Sequence, residues 1–559
     1  MRRRAGVALV AVVALLLTAC SGIPRDGAVE AGQTLPPDAA PAPVFLPSSP
    51  QDDAGIESIL GGFIDAASSP DSNYAIAREY LTPAFSDGWN PEAGVTVDDG
   101  TERTSIIVDS QTMQFSVNPI AEVDADGQYR EVESSAPVLL QYAFTQVDGQ
   151  WRISQAPNGT VIDEATFRDV FSSQALYFFD PGFGWLIPDL RWFVRGASAP
   201  TKIVRAVLTG PSAWLSGAVT TAFPEGTALT ADAVRVDGRV AQVDLNSAAL
   251  SADQVTLRRM KAQLTASLPT GMGVEITINQ NSQQISGLGD EAPVLNPRVD
   301  ARALVLRGGE FGLLAAGGAT LTPIPGISDT VERLGATAVT LAAGHELAAV
   351  RNTDGVYSVS AGEEPQLLDS RPDLLAPSVD NSGFVWTVPT GAPAQIAVHS
   401  RSGGAVTLTA PWPEAVTIHA LKVSRDGARL IALLRTETET RFVTAAIERS
   451  DSVPTGIGPT LLLRSDAGTP LDATWIDELT VASLNTLPSG AERIVTQRIG
   501  GESSVLQSPA DGVVIVGSNS VRDLRALTSK GALTVQRGVG WQERLDGVDV
   551  LATQQGLSD

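Results

Sequence analysis

Val423-Ser424-Arg425-Asp426-Gly427-Ala428-Arg429-Leu430-Ile431-Ala432 reads as a strand that turns at Asp426-Gly427 and leaves as a second strand. An Asp-Gly pair suits a tight hairpin because glycine has no Cβ to clash in left-handed backbone. Working outward, the same grammar repeats across the C-terminal half. Ala303-Leu304-Val305-Leu306, Leu347-Ala348-Ala349-Val350, Gly383-Phe384-Val385-Trp386-Thr387-Val388 and Gly512-Val513-Val514-Ile515-Val516 are short apolar runs, and Asp354-Gly355 is a further turn pair. Such runs, bounded by turn residues, read as buried strands.

The units recur every ~35–45 residues, about six of them over residues 295–559, a period that suits blades arranged around an axis. The corner at Asp426-Gly427 is similar to those of β-propeller blades, so an all-β, propeller-like C-terminal domain is expected. Radial repetition protects strand edges without disulfides. That matters here, because the chain has 559 residues and 1 cysteine.

The cysteine sits at the other end. Arg2, Arg3 and Arg4 form a positive head, a small and apolar run follows to Ala19, and Leu17-Thr18-Ala19-Cys20 closes it. Basic region, apolar region and small-residue cleavage site make a secretory signal over residues 1–19. The run is shorter than the ~20 apolar residues that a membrane-spanning helix needs. Leu-Thr-Ala-Cys looks like a bacterial lipobox, which implies an S-diacylglycerol, N-palmitoyl Cys20 after cleavage. A thiol is required there because sulfur is nucleophilic enough to form the thioether. Each buried methylene adds about 0.8 kcal/mol, so two or three chains hold where one is marginal.

Residues 20–51 follow as a lipidated cysteine and Pro-rich linker, with Leu35-Pro36-Pro37 and Pro47-Ser48-Ser49-Pro50 within it. Such a linker extends about 3.1 Å per residue and holds the body off the membrane. Loss of the three arginines with the signal takes the net charge from −24 to −27. A chain this acidic is repelled by nucleic acid, which excludes a general DNA- or RNA-binding role.

Residues 52–165 begin with Ile56, Ile59, Leu60, Phe63 and Ile64, the spacing of an amphipathic helix. A second helix is predicted over Ala75 to Leu81, broken by Pro83. The period then shifts to two, through Ser105-Ile106-Ile107-Val108, Met113-Gln114-Phe115-Ser116-Val117 and Val138-Leu139-Leu140-Gln141-Tyr142-Ala143-Phe144. With the closing phrase Val147-Asp148-Gly149-Gln150-Trp151-Arg152-Ile153, this region resembles NTF2-like domains. It is expected as an α+β cone with one curled antiparallel sheet.

Residues 170–285 carry Leu176-Tyr177-Phe178-Phe179, Val207-Leu208-Thr209-Gly210-Pro211, Phe223-Pro224-Glu225-Gly226-Thr227, Val240-Ala241-Gln242-Val243-Asp244-Leu245 and Val274-Glu275-Ile276-Thr277-Ile278. These phrases resemble the α+β GerMN domain, with a helix presenting Leu257, Met260, Leu264 and Leu268. The resemblance implies a module of exported envelope and spore-coat proteins, with no catalytic residue to carry over. The Trp-rich stretch from Trp185 to Trp192 departs from the pattern, and its aromatics are expected in a core.

Chemistry is sparse. The histidines number 3: His345, His399 and His419. His345-Glu346 starts a zinc-protease helix pattern, but Ala349 occupies the place of its second histidine. The three are expected as scattered surface or turn residues, with no catalytic, cofactor or metal site.

The order of parts resembles the actinobacterial LpqB lipoprotein family over nearly the whole chain. That resemblance implies a lipid-anchored protein on the extracytoplasmic face of the cell membrane. It also implies that the protein binds and modulates the extracytoplasmic domain of an MtrB-type sensor histidine kinase, whose regulator is MtrA. A non-catalytic binder is the expectation; the alternative is an envelope-glycan or small-ligand binder, or a weak hydrolase. Replacement Cys20→Ala is expected to abolish incorporation of radiolabelled palmitate and to leave the signal uncleaved. Continued labelling of that variant would contradict the lipobox reading.

Overall fold

The computed structural model describes residues 47–70, 72–132 and 136–555. Cys20, the signal segment and linker residues up to 46 lie outside the described residues.

Helix Ile56–Ala67 buries Ile59, Leu60, Phe63 and Ile64, the stripe that its spacing predicts. The second helix is shorter than expected, Ala75–Glu79. Pro83 does not break it but opens a further short helix, Pro83–Ser86, where the Thr82 hydroxyl accepts the Phe85 N–H. Proline is tolerated at a first helical position because the donor it lacks has no partner there anyway.

The expected single sheet is two. One is antiparallel in the order Thr104–Asp109, Thr112–Val117, Val138–Val147, Gln150–Gln155. The other runs Tyr129–Glu131, Pro119–Asp124, Gly94–Asp98, Thr160–Asp163, its last pair parallel. Thr160–Asp163 leads straight into helix Glu164–Val170, whose Phe167 packs on Val97, Ala121 and Ile162 of that second sheet.

The next region opens with a hairpin, Phe171–Phe179 against Leu186–Val194, paired without a bulge from Phe171↔Val194 to Phe179↔Leu186. Helix Ala199–Thr209 stops at Gly210-Pro211. Val240–Leu245 and Gly273–Ile278 pair in parallel, joined by helix Gln254–Ser267. That crossover is the connection a parallel pair needs. Leu257, Met260 and Leu264 face inward.

The remainder is a six-bladed ring. Blades 2 to 6 take four consecutive strands each, starting at Ala338–Leu341, Ser378–Val379, Thr417–Val423, Thr469–Trp475 and Gly512–Val516. Blade 1 joins Leu304–Arg307, Glu310–Leu314 and Leu321–Thr322 to Val548–Gln554 from the chain's far end. That last strand is innermost in blade 1 and also pairs in parallel with Ala338–Leu341, closing the ring.

Each neighbouring pair of blades encloses one apolar cluster, and the alternation of side chains along a strand explains why. In Arg429–Arg435, Leu430, Ala432 and Leu434 enter the seam with blade 3, while Ile431 and Leu433 enter the seam with blade 5. In Leu347–Arg351, Ala348 and Val350 face blade 1, and Leu347 and Ala349 face blade 3. Both faces of such a strand are dry, so the strand reads as a continuous apolar run. At the corner between strands, Gly427 has φ +73°, and a Cβ there would collide with the Asn381 side chain of the preceding blade.

Candidate functional site

The hairpin Phe171–Val194 lies where the N-terminal sheets, the central α+β unit and the propeller meet. Leu176, Phe178, Phe179, Leu186 and Phe193 enter the central core. Phe171, Trp192 and Val194 pack with Tyr129 and Phe167 of the N-terminal region. Ile187 and Trp185 lie with Leu215, Ala218 and blade 4 residues Ala428 and Ala446. Trp185 and Trp192 are thus half-buried at joints between modules.

Polar contacts follow the same joints. The Trp192 backbone N–H donates to the Gly127 carbonyl at 2.8 Å and its indole N–H to the Gly500 carbonyl at 2.9 Å. Gly500 has φ +81°, and a Cβ there would come within 2.9 Å of the Leu190 carbonyl oxygen, so glycine is what admits this approach. Glu131 accepts from the Ser503 backbone N–H at 2.6 Å and from its hydroxyl at 2.8 Å. The Tyr177 hydroxyl donates to Glu478 at 2.8 Å. Burial pushes the Glu478 carboxyl above its usual range, against the Tyr177 hydrogen bond and Arg429, which pull it down.

Buried ionic groups staple the blades. Asp380 of blade 3 takes Arg449 of blade 4 at 2.6 Å and the Trp386 indole at 3.1 Å. Arg425 reaches the Ile476 and Pro297 carbonyls and pairs as well with the Ser518 carbonyl. Arg429, fully buried, pairs with Asp426 and lies over the Trp475 ring. Near the axis, burial lowers the pKa of Lys422 and raises that of Asp472, each partly offset by the other's charge.

The histidines divide. His345 is half-exposed on a turn with φ +58°, and His419 is half-buried with Nε2 3.0 Å from the Thr417 hydroxyl. His399 corrects the expectation of surface or turn histidines. It is buried in strand Gln395–His399, its Nε2 3.1 Å from Thr387 Oγ1 and 3.7 Å from Asp369 Oδ2. A strand dry on both faces puts even a polar side chain into a seam.

Thr387, His399 and Asp369 have the composition of a nucleophilic triad but not its connectivity. The Thr387 hydroxyl donates to Asp369 at 2.6 Å, so His399 is no base toward it. Burial lowers the His399 pKa against the nearby Asp369 charge, which favours the neutral ring. Burial alone would raise the Asp369 carboxyl, but hydrogen bonds from Arg371 and Thr387 hold it down at about 2. The cluster joins blade 2 to blade 3.

Cavities open where the modules meet. One, of about 260 Å³, separates the N-terminal region from helix Ala199–Thr209 and is lined by Tyr74, Phe171, Trp192, Lys202 and Arg205, with Glu92 paired to Lys202 at 2.7 Å. Another, of about 380 Å³, lies between Glu122, Arg130 and Glu131 and blade 4 residues Leu461 to Arg464. Among the described residues no group of three or more His, Cys, Asp or Glu side chains is placed to hold a metal ion. Among them, too, no helix is long and apolar enough to cross a membrane.

Comparison with known proteins follows this layout. Residues 49–168 match the family model "Lipoprotein LpqB, N-terminal domain", residues 175–284 "Sporulation and spore germination", and residues 312–551 "Lipoprotein LpqB beta-propeller domain". The lipoprotein LpqB of Bifidobacterium longum is 27% identical over 99% of this chain and 97% of its own length. That of Streptomyces avermitilis is 25% identical over 95% of each. A stronger local match, 32% to the lipoprotein LpqB of Cutibacterium acnes, covers 44% of this chain and 43% of that protein. Among solved structures, TolB from Acinetobacter baumannii aligns over 44% of this chain and 64% of its own, at 13% identity and TM-score 0.34.

The Asp369 cluster gives a pH prediction. A carboxyl near the ordinary value of ~3.9 when unfolded and held lower when folded contributes stability that is complete above that value and lost as pH falls toward the folded pKa. Unfolding free energy measured with denaturant between about pH 4 and pH 2 should therefore fall by about 2 kcal/mol more in the native chain than in Asp369→Asn. Equal slopes would contradict the assignment.

Proposed function

We propose, from the fact that the chain belongs to the LpqB lipoprotein family, that it is a tethered, non-catalytic binding protein of the cell exterior. Its anchor is acylated Cys20 in the cell membrane. Its partner is the extracytoplasmic domain of a sensor histidine kinase of the MtrA/MtrB type, whose signalling it tunes by docking.

The observation that carries this reading is the Phe171–Val194 hairpin. It buries side chains against three modules and leaves their outer surfaces in one fixed arrangement. A preorganised surface loses less conformational entropy on docking than a jointed one. A shared membrane adds to this by raising the effective concentration of anchored protein around a membrane-embedded kinase. The cavity lined by Tyr74, Trp192 and Lys202 favours a second reading, capture of a small envelope ligand.

Cross-linking on intact membranes, followed by purification of the chain, separates the two. The kinase should be recovered with the native chain and be lost with Cys20→Ala. Absence of the kinase under every linker length, with sedimentation of the chain on purified cell wall, would replace the first reading by the second.

A further inference from the structure

Among the described residues, nothing covers strand Thr104–Asp109, an edge of its sheet. All six of its residues are exposed. Ile106, Ile107 and Val108 are consecutive and 51%, 53% and 54% exposed. Elsewhere among the described residues, large exposed apolar side chains do not occur three in a row. Single exposed apolar residues are ordinary; a run of them on an open strand is not.

The opposite edge of the same sheet is closed. There the Thr82 N–H donates to the Ile153 carbonyl at 2.8 Å, and the Ile153 N–H donates to the Tyr80 carbonyl at 2.8 Å. Among the described residues, strand Thr104–Asp109 pairs with Thr112–Val117 on one side and with no strand on the other. Edge strands are usually guarded by lysine, proline or an inward charge. Residues 104–108, Thr-Ser-Ile-Ile-Val, contain none of these, and the strand's one irregularity is the register shift between Ile107 and Asp109.

Charge selects the occupant. In a chain of net charge −24, most surfaces of two copies repel one another. This edge is neutral along its length and bears opposite signs at its ends, Arg103 before it and Asp109 at its close. Antiparallel pairing about a two-fold axis through Ile106 sets Ile106 opposite Ile106 of the second copy and Ser105 opposite Ile107, within the regular part of the strand. The same pairing brings Arg103, which also holds Asp98 at 2.7 Å, to the Asp109 end of the second copy's strand. Parallel pairing would set like charges opposite each other.

We propose that two copies of this chain associate through this edge. Their four-stranded sheets join at Thr104–Asp109 into one eight-stranded antiparallel sheet across the two-fold axis. Main-chain hydrogen bonds supply the register, and Ile106 and Ile107 each gain a cross-strand apolar neighbour. The contact is isologous and closes at two copies.

The test uses the full lipidated chain in detergent. Sedimentation velocity is expected to give a dimer. Ile106→Lys, which sets two like charges directly opposite each other, should raise the dimer dissociation constant at least about tenfold without altering the circular dichroism of the folded chain. Under oxidation, Ile106→Cys should form a disulfide between copies, because directly opposed strand residues have Cα atoms within disulfide range. Gln146→Cys, placed away from the axis, should not. A monomer at all concentrations, or linkage through Gln146→Cys instead, overturns the proposal. A monomer whose Ile106→Lys variant loses kinase cross-linking overturns it too, assigning the strand to the kinase while leaving the kinase reading intact.

Discussion

Burial of one hairpin on several sides at once is the constraint on which the arrangement depends. Phe171–Val194 belongs by sequence to the central unit, yet Trp192 and Phe171 complete a core with Tyr129 and Phe167, and Ile187 completes another with blade 4. Joints between domains of one chain are commonly polar and mobile. These are sealed by aromatic and aliphatic side chains, by the Glu131 hydrogen bonds to Ser503 and by the close approach at Gly500. Separation of the modules would expose that apolar surface to water.

The propeller meets the same requirement by repetition. Each blade buries both faces, and the C-terminal strand Val548–Gln554 supplies the innermost position of blade 1. The buried ions lie largely in the seams. Removing one partner of such a pair strands the other charge in a dry place, so these groups fix which blade follows which. That role accounts for the company of His399, Thr387 and Asp369, whose chemistry would otherwise invite a catalytic reading.

Much of this was legible beforehand. The Ile59–Leu60–Phe63–Ile64 stripe, the Asp426-Gly427 corner and the apolar runs of the blades are local signals, and local signals survive in a sequence. What was not legible depends on partners far away in the chain. Pro83 reads as a breaker until Thr82 is seen to cap the helix that it opens. The parallel pairing of Thr160–Asp163 with Gly94–Asp98, beside the core that Phe167 joins, has no local signal. His399 reads as a stray histidine because nothing near it in sequence reports Asp369 and Thr387. Trp185 and Trp192 signalled a core, but not that the cores would be shared between modules.

The rigid-body claim is tested most directly by a distance. Spin labels at exposed Gln146 of the N-terminal sheet and exposed Glu543 of blade 6, in chain diluted with unlabelled protein, report the separation of modules joined at the hairpin and at the Glu131–Ser503 contact. A single narrow distribution by pulsed electron spin resonance is predicted, unchanged when the lipid anchor is reconstituted into vesicles. A broad or two-peaked distribution would mean that the modules move independently, and would contradict the account.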